Sequence, residues 1–463
     1  MFGETIVAIA TPEGSGGLAV VRLSGTDAVA IANRVFSPGV GSNSDSHRAV
    51  YGILSTPKDN KNEISTPKTI VDQVIALPML APNSFTGEDT VEFFCHGGTV
   101  VSRLVVSACR VAGARPATAG EFTRRAFLNG KMSLDQAEAV ADLIHAESEI
   151  AARAAIRQLL GGLNSQLVDI EKPLLELLSR LEGGLEFLDD EVPDVDSEEA
   201  AGILKKSIEG ITNLLDLAPA GRLLRDGIQV VLQGAPNVGK SSLFNELVGS
   251  DRAIVDHEAG TTRDVVSSRV VRQGRVFVFH DTAGLRSTSG RIENKGIERT
   301  REAVRCADIV LSLRLAGDSA ISHEIPREES SSLMVLPVVT KCDLLSASEI
   351  SQVDQSSVCT SSLDHTGLEK LWSKIDQTVE KFELNKAVSL GVVLNERHRY
   401  KLESSLAELE LLLDEFRDSQ IPPGDEVVGT LLASILAQLG EISGRVFSEQ
   451  LLESVFSRFC IGK

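Results

Sequence analysis

At 463 residues with 42% hydrophobic content, the chain exceeds what one core can hold, so two or three folded domains are expected. Its net charge of -19 excludes broad non-specific nucleic-acid binding, which needs a basic face against the phosphates, and leaves RNA contacts that are local or shared with a partner. Six cysteines without a C-x-x-C pair fit neither a zinc site nor a secreted disulfide framework, no apolar run approaches the ~18 residues of a membrane span, and Met1-Phe-Gly-Glu4 is no signal-peptide start. The expectation is a cytoplasmic protein without membrane contact, or a mitochondrial or chloroplast one if a transit peptide has been removed.

Residues 1–122 read as mixed α/β. Strand-like stretches at 5–10 and 18–23 flank a Gly-rich turn, a helix covers 27–36, and a Ser-, Pro- and Lys-rich region at 37–68 holds one short strand near 50–54. Strands at 70–77 and 90–95 follow, and the polar segment 82–89 between them, which carries Phe85, reads equally as a binding loop or a long connection. From Ser133 the texture turns helical: Ser133-Leu-Asp-Gln136 has capping-box spacing, and apolar residues recur every three or four positions to about 189. The acidic run 189–196 reads most simply as a solvated connection, with metal binding a remote second, and a helix covers 197–217. Helical pattern returns after 384, over 395–417 and, past Pro422-Pro-Gly424, over 427–459. A domain at 222–383 is therefore read as inserted into a helical domain made of 123–221 and 384–463.

Gly234-Ala-Pro-Asn-Val-Gly-Lys-Ser-Ser242 matches G-x-x-x-x-G-K-[ST], after a β-branched run at 228–233 and before a helical stretch at 241–248. Backbone N–H groups and a helix N-terminus converge on an anion where a strand turns into a helix through such a loop. Asn237, Val238, Gly239, Lys240, Ser241 and Ser242 are thus expected to cradle phosphates, with Lys240 on the β/γ-phosphates and Ser241 on Mg²⁺. Gly260-Thr-Thr262 lies where a first switch belongs, Thr262 closing on Mg²⁺. Asp281-Thr282-Ala283-Gly284 follows a strand at 275–280, where a Walker-B-like Asp281 would hold Mg²⁺ through water and Gly284 N–H would sense the γ-phosphate.

Thr340-Lys341-Cys-Asp343 follows an apolar strand at 333–339 and resembles the guanine-reading N-K-x-D element. The Asp343 carboxylate accepts from both N1–H and the exocyclic amine of guanine, a donor pair that adenine lacks, so GTP is selected. Thr340 stands in place of the usual Asn and offers one hydrogen bond rather than an amide pair, and Ser361 occupies the place of the element that backs the base. Where Ras-like proteins carry a water-positioning glutamine this chain has Leu285, which cannot hydrogen-bond, so another group must orient the water. Glu293 and Glu298 are carboxylates in or near the second switch; spacing alone does not choose between them, and a plain surface-helix role is an equal reading for either.

With these elements placed, the chain resembles the MnmE (TrmE) family of tRNA-modification GTPases. The resemblance runs through 5–12, 83–89, His96-Gly-Gly98, 120–129, Gly260-Thr-Thr-Arg-Asp264 and Phe459-Cys-Ile-Gly-Lys463. It implies a multidomain α/β plus all-α fold: an N-terminal α/β domain that binds tetrahydrofolate and dimerises, then a P-loop GTPase domain inserted into a helical bundle. It also implies an FAD-dependent MnmG (GidA)-type partner and addition of an aminomethyl or carboxymethylaminomethyl group to carbon 5 of the tRNA wobble uridine. The one-carbon donor would be 5,10-methylene- or 5-formyl-tetrahydrofolate. By the same resemblance Arg22, Glu92, Lys131 and Lys463 contact the folate. Asn237, Asp256, Glu258 and Thr261 hold K⁺ beside the phosphates, Glu293 rather than Glu298 is the catalytic carboxylate acting with Lys240 and Thr262, and two G domains meet across their switches. Cys460 falls near the folate, where a packed apolar thiol is expected. Two other readings compete with this one. A regulatory GTPase switch in ribosome or RNA assembly would need no group transfer, but no KH-like G-x-x-G module follows 384; a membrane-remodelling GTPase is disfavoured by acidic C-terminal helices.

Overall fold

The computed structural model describes residues 3–41, 46–57, 69–186, 196–249, 253–254, 267–281, 304–317, 333–354, 356–418 and 425–463. They fall into two units, Met1–Ala141 with Gly440–Lys463, and Asp142–Leu439.

In the first unit, strands β1 (Ile6–Ile9), β2 (Leu18–Ser24), β3 (Phe36–Ser37), β4 (Val50–Ser55), β5 (Ile70–Met79), β6 (Thr90–His96) and β7 (Arg115–Pro116) form one sheet in the order β3-β4-β5-β6-β2-β1-β7. All pairs are antiparallel except β1 with β7. Strand alternation sends Val21, Leu23, Val91 and Phe93 to one face, where Ile31 and Val35 of the helix Ala28–Val35 and Val105 and Cys109 of Thr99–Val111 complete the core. The same alternation leaves Arg22 and Glu92, direct cross-strand partners, on the opposite face. A satellite core of Phe127, Leu134 and Ala137 packs with Leu452, Val455, Phe456 and Phe459. That packing joins Gly440–Lys463 to Met1–Ala141 in one unit.

In the second unit, a seven-stranded sheet runs β14-β13-β12-β8-β11-β10-β9, from β8 (Ile228–Gly234), β9 (Ala253–Ile254), β10 (Ser267–Arg272), β11 (Arg275–Asp281), β12 (Ile309–Leu315), β13 (Met334–Thr340) and β14 (Val358–Cys359). β8 pairs in parallel with β11 on one side and β12 on the other, and only β9 and β10 run antiparallel to their neighbours. Burial on both faces explains the continuous apolar reading of β8, whose Val230, Val231 and Leu232 have no exposure. Trp372, on the helix Leu368–Glu380, meets Phe277 and Phe279 edge-on at 5.2 and 5.7 Å.

Around this domain, Glu396–Asp418 packs along Ser197–Leu215, which packs on Gly162–Glu186. Helical segments from both sides of the insertion therefore share one core, with Leu204, Ile211, Leu402 and Leu409 fully buried. The chain enters and leaves the domain side by side: Arg225 donates to Leu394 O at 2.8 Å, and a Cβ on Gly221 would lie 2.7 Å from Leu394 N.

Two helical expectations are corrected. Residues 427–459 form two helices, Asp425–Ser443 and Glu449–Phe456, because Gly444 takes φ +83° and Ser448 caps the second through Leu451 N–H. The window Glu426–Ser443, of mean hydropathy 1.3, is also long and apolar enough to cross a membrane, contrary to the expectation that no run approaches that length. Interspersed Gly, Ser, Thr and Gln disguise it in the sequence. Val428, Leu432, Ile435, Leu439 and Ile442, at most 1% exposed, recur every three or four residues, the stripe of a core helix.

Candidate nucleotide and cofactor sites

The phosphate loop joins the C-terminal end of β8 to the helix Lys240–Gly249, at the point where the sheet order departs to either side. Gly239 has φ +101°, and a Cβ on Gly234 would sit 2.6 Å from Leu313 O, so neither position accepts a side chain. Lys240 Nζ lies across the loop, 3.0 and 2.8 Å from the carbonyl oxygens of Gly234 and Ala235. Ser241 and Ser242 are exposed in the first turn of the helix, as a metal-and-phosphate contact requires. Asn237 is exposed with φ +59°.

Thr340 does more than the sequence suggested. Its buried hydroxyl donates to Val238 O at 2.5 Å and also faces Arg314 O at 3.2 Å, while Lys341 Nζ donates to Asn237 O at 3.1 Å. Two consecutive loop carbonyls are thus held by two consecutive residues leaving β13. The single donor of a threonine matches a tie that goes to one backbone oxygen. Asp343 follows in the short turn Cys342–Leu344, and Ser361 Oγ donates to its Oδ1 at 2.7 Å, which fixes the orientation of the carboxylate. Ser361 is itself held by its own N–H on Thr366 O at 3.1 Å.

Asp281 ends β11 opposite Leu232, so its backbone stands beside the strand that feeds the loop. Asp256, Glu258, Gly260, Thr261, Thr262, Thr282, Ala283, Gly284, Leu285, Glu293 and Glu298 lie outside the described residues.

In the first unit the expected folate residues come together. Arg22 Nε donates to Glu92 Oε1 at 2.7 Å, and the guanidinium stands 5.3 and 5.6 Å from the ring centres of Phe85 and Phe122. Phe122 N–H donates to Lys463 O at 3.2 Å, and Lys131 Nζ donates to Pro82 O at 3.0 Å on the segment that carries Phe85. Phe85 thus gives the 82–89 segment a packing role against Arg22. Sequence reasoning missed Phe122, Arg125, Glu88 and Glu121. Arg125, 6% exposed, bridges Glu88 and Glu121 at 3.0 Å each, and Glu88 also accepts from Ser24 at 2.8 Å. Burial raises the Glu121 carboxyl, but hydrogen bonds from Arg115, Thr118 N–H and Arg125 outweigh it and hold its pKa at about 2. Cys460 is exposed rather than packed, while its neighbour Phe459 is buried against Phe456. Two clefts of about 280 and 260 Å³, one beside Lys206 and Lys386 and one beside the 11–16 turn, lie away from these residues.

The TrmE N-terminus (GTP-binding protein TrmE) family model matches residues 5–131, and the MnmE helical-domain model matches 134–460. The chain belongs to the MnmE family of tRNA modification GTPases. A Salinibacter ruber relative of that name is 39% identical over 470 residues, spanning 99% of each chain. Relatives of the same name from a Cyanothece species and from Aquifex aeolicus are 38% and 37% identical, covering 100% and 99% of this chain and 99% and 100% of their own. Among solved structures, the G domain of the T. maritima FeoB iron transporter aligns over 33% of this chain and 98% of its own, at 26% identity and a TM-score of 0.25.

Proposed function

We propose that this chain hydrolyses GTP to drive modification of carbon 5 of the wobble uridine in certain tRNAs, acting as a homodimer with an FAD-dependent MnmG/GidA-type partner. The observation that carries the GTP part is the Asp343 carboxylate, oriented by Ser361 at 2.7 Å and set beside a phosphate loop that Thr340 ties to the same strand. Ser241 with Thr262 would hold Mg²⁺, which neutralises developing phosphate charge, and Asn237, Asp256, Glu258 and Thr261 would hold K⁺ in the place an arginine finger fills elsewhere. Glu293 would orient the attacking water in place of the glutamine that Leu285 replaces.

A tetrahydrofolate derivative would supply the one-carbon unit. The Arg22–Glu92 pair, framed by Phe85 and Phe122, supports that reading, since the rings offer a stacking wall and the side chains polar contacts for a pterin edge. Lys131 and Lys463 would take the glutamate tail. The acidic net charge of -19 favours sharing the tRNA contact with the partner.

The test is isothermal titration of the purified chain with GTP, ATP and 5-formyl-tetrahydrofolate, alongside measurement of modified wobble uridine in cells lacking it. GTP and folate binding with loss of the modification is expected. Preference for ATP would overturn the nucleotide reading. Absent folate binding, with modification intact, would favour a regulatory switch.

A further inference from the structure

Two of the six thiols meet behind the guanine reader. Cys342 lies between Lys341 and Asp343 and is 6% exposed, whereas Cys359 ends β14 two residues before Ser361 and is half-buried. The sheet register sets their meeting, because Val339 on β13 is the partner of Cys359. Cys342 Sγ donates to Val339 O at 3.3 Å, and the Thr360 amide, bonded to Cys359, donates to the same oxygen at 2.8 Å. Cys342 N–H in turn donates to Thr360 O at 3.1 Å, so the two segments are laced together on both sides of the sulfurs. Burial, and then a hydrogen bond with the Cys359 side chain, pushes the Cys342 thiol up to about 12. Neither sulfur has a part in the nucleotide site as described above.

We propose that Cys342 and Cys359 are a hydroperoxide-sensitive pair whose disulfide disables the guanine site, a role that rests on Asp343 being the guanine reader. Cys359, which solvent reaches, attacks hydrogen peroxide as its thiolate; the O–O bond breaks, one oxygen leaves as water after taking a proton, and Cys359 becomes a sulfenic acid. The Cys342 sulfur then attacks the sulfenic sulfur. The S–S bond forms, and the second oxygen leaves as water with the Cys342 proton. Two thiols lose two electrons and one peroxide becomes two waters. A thiol that stays protonated at neutral pH suits the resolving position and not the attacking one.

The consequence for the base site is geometric. A disulfide holds its sulfurs about 2.0 Å apart, closer than thiols in hydrogen-bonding contact, and its formation draws β14 toward the Cys342–Leu344 turn. Asp343 is the next residue after one sulfur, and Ser361 is two residues after the other. Movement of either sulfur therefore displaces the carboxylate relative to the hydroxyl that orients it. Because a carboxylate reading two guanine donors is intolerant of displacement, GTP affinity falls when the bond closes and returns when it is reduced.

The experiment uses the full chain, reduced and then exposed to hydrogen peroxide, with peptide mass mapping under non-reducing conditions and titration with a fluorescent GTP analogue. A Cys342–Cys359 linked peptide, lighter by two hydrogens, is expected together with affinity reduced about tenfold or more and restored by dithiothreitol. Cys342→Ser and Cys359→Ser should bind GTP as the wild type does when reduced and keep that affinity after peroxide. Should Cys342→Ser fail to fold, Cys342→Ala and Cys359→Ser carry the same comparison. No linked peptide, a linked peptide with unchanged affinity, or a loss that persists in the variants, as oxidation of exposed Cys306 or Cys460 would give, overturns the thiol proposal alone. Failure of the reduced wild type to bind GTP overturns the guanine-site reading as well.

Discussion

Replacing Thr340 with valine removes one hydroxyl and almost no shape, so its effect isolates the tie between β13 and the phosphate loop. The hydroxyl has a single proton, and the 2.5 Å contact to Val238 O takes it in preference to the 3.2 Å contact to Arg314 O. Val238 is 1% exposed, so its carbonyl loses a buried donor, a cost of about 1–3 kcal/mol. Part of that is avoided by rotating the peptide. The Val238 carbonyl and the Gly239 N–H share one rigid plane, however, so rotation swings a phosphate-facing donor out of place. GTP binding must then restore the orientation, and Thr340→Val should weaken GTP by about 1–2 kcal/mol, roughly 5- to 30-fold. Thr340→Asn, which regains an N–H donor, should stay within about threefold of wild type. Displacement of a fluorescent GTP analogue gives the affinities, and urea unfolding of the same proteins separates loop geometry from global stability. Wild-type GTP affinity in Thr340→Val would show that the hydroxyl does not orient the loop.

Further outcomes follow from other contacts. The Glu121 carboxyl, depressed from 4.5 to about 2, stabilises the fold above pH 4.5, and that contribution is lost as pH falls toward 2. At about 1.4 kcal/mol per pH unit it amounts to about 3 kcal/mol, so Glu121→Gln should flatten the acid limb of stability measured by denaturant titration between those pH values. Glu92→Gln keeps the size of the side chain and removes the charge that faces Arg22 at 2.7 Å; folate affinity in calorimetry should fall about tenfold or more while GTP affinity stays unchanged. Arg269→Glu breaks the 2.6 Å contact with Glu147, a half-exposed pair that contributes under about 1 kcal/mol to stability. Its expected signature is a weaker nucleotide-dependent change in hydrogen exchange over Glu149–Leu159, recovered in the Arg269→Glu, Glu147→Arg double variant.

The phosphate loop was legible because its function is carried by backbone: a strand, two glycines and a helix start leave few sequence solutions. Asp343 stands out in the sequence for a related reason, since the proposed base reader is one carboxylate at one strand end. Thr340 was underestimated because its partner, Val238, lies about a hundred positions away and no local pattern points to it. The same distance hid Phe122 beneath Arg22 and the Arg125 cluster, which form only when a helix from one end of the unit closes on strands from the other. Cys460 was misplaced by its apolar neighbours, because Phe459 takes the buried place while Cys460 and Ile461 stay exposed. The break after Ser443 carried a signal, Gly444 followed by Ser448, that an unbroken apolar spacing outweighed in the reading.

How nucleotide state could reach the helices is set by a hairpin. β10 begins where the segment holding Thr262 ends, and β11 runs straight into Asp281, so the two strands connect both expected switch segments to one turn at Gln273-Gly274. Both turn residues have positive φ, +50° and +74°, the geometry of a tight two-residue hairpin. A Cβ on Gly274 would lie 3.3 Å from Ile150 Cγ1, which means the backbone itself rests on the first turn of Glu149–Leu159. That helix packs in turn on Ala218–Asp226, whose last residues lead into β8. A paired hairpin shifts as a unit more readily than it bends, since bending would break the ladder between β10 and β11. Displacement at either switch end would therefore be delivered at Gly274, to a helix that borders both Ala218–Asp226, which leads into the nucleotide domain, and Gly162–Glu186 of the bundle around it.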